Sequence, residues 1–263
     1  MTPELFDTLA AHLDSLTPQL VIGFGVFLRV GAMMALMPAF GETVVPVRVR
    51  LALAIAFTLI ITPAVGTDLA QLRGGPGPLV TVIAAEGLAG LVLGVGLRLF
   101  VIALQTAGTI AAQATSLSQF FGGAGVDPQP AMSRILVMAG LALAVINGLH
   151  VRLAEFLILS YSFFPAGGFP DAGNLGEWGT AQISRAFMLA FTLAMPFVMM
   201  SVLYYVALGA INKAMPQLMV AFVGAPAITF AGLALLFLTA PLLLPIWQDA
   251  FHGFIANPTG PPR

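Results

Sequence analysis

Cysteine is absent from the chain. That removes disulfide frameworks, thiolate metal sites and cysteine nucleophiles together. Charge is almost absent too: 10 Lys plus Arg and 11 Asp plus Glu in 263 residues, or 8% of the whole. Soluble domains carry about 25% charged residues to solvate their surface, so these few cannot coat a 27.4 kDa globule in water. Lysine occurs once, at Lys213, and the net charge is -1. A nucleic-acid binder needs a basic stripe, and none exists. Enzyme signatures are missing as well: no HExxH, no Walker A loop and no GxSxG. His12, His150 and His252 are isolated in sequence and read as structural or interfacial, not as metal ligands. Gly94-Val95-Gly96 lies inside an apolar run and not after a strand, so a dinucleotide reading fails on context. The residues therefore point to no catalytic group, no metal and no cofactor.

Apolar residues are what the chain has: 59% are hydrophobic and mean hydropathy is +0.99. Disorder, which needs low hydrophobicity and high charge, is excluded. The composition reads as a membrane-embedded chain or one buried in a hydrophobic assembly. A spanning helix needs about 20 mainly apolar residues, and six such runs are expected, over residues 20–37, 47–61, 79–117, 132–164, 183–211 and 226–247. Pro38, Pro63 and Pro165 close the first, second and fourth. The third and fourth exceed the bilayer thickness and must tilt, kink or leave the hydrocarbon. The 28 Gly and 19 Pro are many for spanning helices. They are tolerated where neighbouring helices re-satisfy the backbone, which predicts heavy packing against protein. Neither an internal repeat nor a second domain is visible, so residues 1–263 are expected to form one domain.

The ends and loops add orientation. The first charges, Glu4, Asp7 and Asp14, are acidic, whereas a secretory signal opens on a basic region; residues 1–17 are expected to be an amphipathic lead-in ending at Thr17-Pro18, and 249–263 a short C-terminal tail. Arg48, Arg50, Arg134 and Lys213 fall on one side of the runs, and Asp171, Glu177 and both termini on the other. The positive-inside rule puts the first side in the cytoplasm.

A few polar residues sit at membrane depth, where an ionisable group is costly and is a functional candidate. Arg29 lies in the first run, Glu86 and Arg98 in the third, Arg152 and Glu155 in the fourth. Arg152 and Glu155 share a helix face at i, i+3. Glu86 and Arg98 are about 120° apart around one helix and do not face each other. The five are expected to pair between helices or subunits. The competing reading is an ion path through Glu86, Arg98, Arg152 and Glu155 in a secondary transporter, which the missing internal repeat disfavours. A lipid-acting enzyme has no acid, base or metal cluster behind it. Gly90 and Gly94 form GxxxG near the face of Gly87, a contact for another helix of this chain or of a partner. Between the third and fourth runs lies Ser118-Gln119-Phe120-Phe121-Gly122-Gly123-Ala124-Gly125-Val126. Bulky apolar side chains beside unrestrained glycines suit either a displaceable plug or a re-entrant connector, and both readings remain open from the residues alone.

Three blocks, in order along residues 27–247, resemble the FliR family of flagellar export-gate proteins and, more distantly, its injectisome counterparts. The first is Leu28-Arg29, Pro38-Ala39-Phe40-Gly41 and Pro46-Val47-Arg48-Val49-Arg50; the second is Asp127-Pro128 and Asn147-Gly148 within the fourth run; the third is Ala207-Leu208-Gly209-Ala210-Ile211-Asn212-Lys213-Ala214-Met215-Pro216-Gln217-Leu218 with Gly224-Ala225-Pro226. Lys213 departs from the family's arginine, keeping the charge without the planar fork. The resemblance implies an all-α integral membrane fold of about six long kinked helices, arranged as hairpins in a helical export-gate assembly. It implies FliP-like and FliQ-like gate subunits and an FlhB-like switch protein as partners, in the flagellar basal body of the bacterial inner membrane. Unfolded export substrates would cross through a channel, with membrane lipid around it. It assigns 118–126, within a loop 118–130, as the plug. Phe120 and Phe121 would dewet the constriction, the following glycines would let them swing aside, and Gln113 and Ser116 with Ser118 would line the approach. Asn212, Lys213, Pro216 and Gln217 join the residues expected at structural or subunit contacts.

Overall fold

The computed structural model describes residues 3–41, 45–66, 79–115, 131–215 and 220–260. Among these residues the chain is all helical, with no strand: α1 (Pro3–Leu36), α2 (Val47–Val65), α3 (Leu79–Thr115), α4 (Ala131–Ile146), α5 (Leu149–Phe163), α6 (Ala172–Ala214) and α7 (Val220–Ala256). Four of them hold apolar segments long enough to cross a membrane: Val47–Val65, Val80–Thr115, Ala172–Ala214 and Pro226–Ala256. The chain is an all-α membrane protein.

The six apolar runs reappear, with four changes. The fourth run is two helices. α4 stops where Asn147 N–H, and its side-chain Nδ2, both donate to Leu143 O, and Gly148 then takes φ +78. Only glycine enters that left-handed conformation without a Cβ penalty, so Asn147-Gly148 ends one helix and starts the next. At the N-terminus, α1 runs through Thr17-Pro18, where a lead-in was expected to end. Pro63 lies inside α2, which continues to Val65. A proline that near a helix end removes one hydrogen bond without stopping the last turn. α7 likewise extends to Ala256, through the first half of the expected tail. Asp171 caps α6: its Oδ2 accepts from Asn174 N–H at 2.9 Å, which satisfies one orphan donor.

Threonine hydroxyls inside the apolar helices are satisfied locally, whereas the buried hydroxyls of Tyr161 and Tyr204 have no partner among the described residues. Thr58, Thr62, Thr109, Thr115, Thr192 and Thr239 each donate to the carbonyl four residues back, which spares the environment an unpaired donor.

The chain divides into two compact units. One comprises Met1–Arg98 with Gly148–Gly179; the other comprises Leu99–Asn147 with Thr180–Arg263. In the first, α1 packs on α2 and α2 on α5. Its core includes Val26, Val30, Met33, Met34, Ile61, Leu93, Leu153 and Phe156. α1 crosses α3 at Gly90 and Gly94. A Cβ on Gly90 would collide with Arg29 O, and one on Gly94 would sit 3.1 Å from Met33 O. The GxxxG motif is thus used within the chain, while Gly87 faces open space. In the second unit α4 packs on α7, and a Cβ on Gly108 would strike the Ser133 backbone. Trp247 is fully buried. It donates its indole N–H to Phe100 O at 2.9 Å and stacks on Phe251 at 5.1 Å. Phe100 also meets Phe251 and Phe254 at 5.4 and 5.3 Å. Residues past α7 are tied back to α6, because Gln182 donates to Pro258 O and Arg185 to Gly260 O at 2.8 Å.

Candidate functional site

The strongest polar constellation lies inside the first unit. Arg29 of α1 is 1% exposed and Glu86 of α3 is 0% exposed. The guanidinium meets the carboxylate as a fork, Nε to Oε2 at 2.7 Å and Nη2 to Oε1 at 3.2 Å. Burying two charges costs several kcal/mol per ion unless every remaining donor and acceptor is met. Here they are met from α5 and the turn after it. Nη1 donates to Ser160 Oγ at 3.2 Å, and Nη2 donates to Phe164 O at 2.8 Å. Ser160 donates its own hydroxyl to Leu157 O at 2.7 Å. The Arg29 Cζ lies 3.7 Å from the centroid of the Tyr161 ring, a cation–π contact strengthened by desolvation. Glu86 Oε1 accepts a further bond, from Gly167 N–H at 2.8 Å. Gly167 has φ +70, the backbone turn that aims its N–H inward. Three helices and the following connector are therefore pinned at one ion pair.

The other ionisable candidates are placed differently. Arg98 is half-buried on α3. Arg152 and Glu155 are exposed on α5, and no ion pair within 4.0 Å joins them. Glu86 is thus engaged by Arg29 and Gly167, and not by the residues read with it as an ion path. Asn212 and Lys213 are exposed at the end of α6, where the lysine complements the helix dipole. Gln113 is exposed in the last turn of α3. Ser116, the plug residues 118–126 with the remainder of the loop to 130, and Pro216 and Gln217 lie outside the described residues. Among the described residues, no three acidic or histidine side chains gather as metal ligands.

Sequence reasoning overlooked the wrapping of Arg29. Ser160, Tyr161, Phe164 and Gly167 are more than 130 positions from it, and nothing local marks them. Gly167, next to Gly168 after Pro165, did carry a turn signal. Arg185 was overlooked too, although an arginine beside an apolar run was visible.

Long apolar helices, a small-residue crossing and a buried ion pair within one unit define a helical membrane protein held together by close helix packing. Residues 20–254 match the profile of the bacterial export proteins, family 1, and the chain belongs to that family. It is similar to the flagellar biosynthetic protein FliR of Caulobacter vibrioides, with 31% identity covering 90% of this chain and 95% of that one. The Escherichia coli K12 protein of the same name is 29% identical over 87% of each chain. That of Aquifex aeolicus is 26% identical over 87% of this chain and 88% of its own.

Proposed function

We propose that this chain is a subunit of a flagellar type III protein export gate, through which unfolded flagellar subunits leave the cytoplasm. The observation that carries this reading is the likeness, over 90% and 87% of the chain, to proteins named flagellar biosynthetic protein FliR. The physical form agrees with it: only 22% of the most apolar stretch of Pro226–Ala256 is covered by the chain itself, and 33% of that in Ala172–Ala214. Such faces suit an assembly subunit. FliP-like and FliQ-like subunits and an FlhB-like protein are the partners that the reading names, and the bacterial inner membrane is the location. Residues 118–126 are assigned as the plug, with Phe120 and Phe121 closing the idle channel by dewetting. Gln113 and Ser116 lead into it. No reaction is assigned to the chain itself.

Two measurements on one set of strains test this. Removing the whole chain is expected to abolish secretion of flagellar subunits; normal secretion without it would reject the gate reading. Deleting 120–125 is expected to make the inner membrane leak ions and to slow growth. A tight membrane with normal secretion would reject the plug assignment alone.

A further inference from the structure

We propose that the exposed face of α7 receives a membrane-embedded helix of a different polypeptide, one carrying hydroxyl or carboxamide donors four residues apart. The observation is a pair of prolines. Pro241 and Pro245 both lie within α7 and both are exposed. Proline has no N–H, so each leaves the carbonyl four residues earlier without its helical partner. The carbonyls concerned are those of Phe237 and Pro241. Thr239, the nearest hydroxyl on the helix, already donates to Leu235 O at 2.7 Å. No side chain among the described residues donates to either carbonyl.

These acceptors sit on the side of α7 that the second unit leaves open. Leu236, Leu243, Trp247 and Phe251 face inward. The opposite stripe is Phe230, Leu233, Phe237, Leu238, Leu242 and Ile246, with Phe237 81% exposed. The stripe lies in a helix apolar and long enough to span. Three occupants are conceivable there. Lipid tails cannot donate to a freed carbonyl, whereas a neighbouring helix is one of the surroundings that re-satisfies such groups in a membrane. A second copy of the same stripe is excluded, because a two-fold contact would set this face against itself, and its side chains are all apolar. A different helix with Ser, Thr, Asn or Gln side chains satisfies the acceptors. Its donors need a spacing of about 6 Å, which is i, i+4 on a helix, matching the spacing of the two carbonyls. This inference adds to the gate reading the chemistry of one partner face, and rests on that reading only in supplying a partner chain.

The test uses the full chain in native membranes. A benzophenone amino acid replaces Phe237, and the photo-adduct is mapped by mass spectrometry. The expected adduct is on a helix of another protein, with a hydroxyl or carboxamide residue within one turn. An adduct confined to lipid, to a second copy of this chain, or to a helix with no such donor overturns the proposal. The mapped donor is then removed in two backgrounds. In the natural chain its loss weakens co-purification by about threefold, the usual scale of one interhelical hydrogen bond in a membrane. With Pro241→Ala or Pro245→Ala the backbone N–H returns and satisfies the carbonyl internally, and the same donor loss then has no effect. Equal losses in both backgrounds would mean that the prolines act through shape alone, and would overturn the proposal. Whether the mapped partner is an export-apparatus subunit bears only on the gate reading, so the two ideas fail separately.

Discussion

At the scale of single residues, the Arg29–Glu86 pair is the place where one atom matters most. Glu86 accepts from Arg29 Nε, Arg29 Nη2 and Gly167 N–H. Glu86→Leu strands a guanidinium at 1% exposure, and breaking one side of a buried pair costs about 3–5 kcal/mol. Arg29→Lys keeps the charge but not the fork, so it is expected to lose much of the same stability. Arg29→Leu together with Glu86→Leu removes both charges and is expected to recover most of the loss. Detergent unfolding titrations on the three variants check this; a double variant no better than Glu86→Leu would mean that the pair contributes net stability of its own. The two charges were legible in the sequence as residues at membrane depth. Their partnership was not, because 57 positions separate them and only folding closes that distance. The i, i+3 spacing of Arg152 and Glu155 puts them on one helix face, which allows a pair without requiring one. An exposed pair at that spacing gains little in solvent, and the two stay apart.

At the scale of helices, the apolar runs were legible because apolar length alone marks a spanning segment. Helix boundaries were less so. Pro38 lies just after α1, yet Pro18 and Pro63 lie inside helices, since proline removes one bond and packing decides whether the helix goes on. Asn147-Gly148 was visible but was read as family signature and not as a left-handed break. The glycines show the same limit. In sequence Gly87, Gly90 and Gly94 look alike; in the structure only the last two touch α1. Opposite signs follow. Gly87→Ala adds a Cβ in open space and is expected to stabilise α3 by up to about 1 kcal/mol. Gly90→Ala drives a Cβ into Arg29 O and the Ala32 Cβ, and overpacking of that kind costs about 1–3 kcal/mol. Gly108→Ala in the second unit meets the Ser133 backbone and belongs with Gly90. Thermal denaturation in detergent distinguishes them, and a destabilised Gly87→Ala would overturn the reading of its face as open within the chain.

At the scale of the whole molecule, the scarcity of charge acquires a cause. Water would demand more polar surface, and hydrocarbon alone would tolerate fewer interruptions of the backbone. Pro63, Pro196, Pro226, Pro241 and Pro245 all fall inside spanning helices, and each frees a carbonyl that lipid cannot satisfy. Exposed side chains such as Phe230, Phe237, Met188 and Leu203 cover the same helices. Protein is the surrounding that meets both demands, since neighbouring helices bring apolar contact and hydrogen-bond donors together. On the gate reading the chain gains stability by mass action with partner subunits, and made alone it exposes segments that proteolysis and aggregation select. Pulse-chase labelling in cells with and without the other gate subunits reads this directly. The chain is expected to be degraded several-fold faster when made alone, and co-expression is expected to restore its lifetime. Equal lifetimes would mean that the uncovered faces are at home in lipid, and that the freed carbonyls find their donors within the chain.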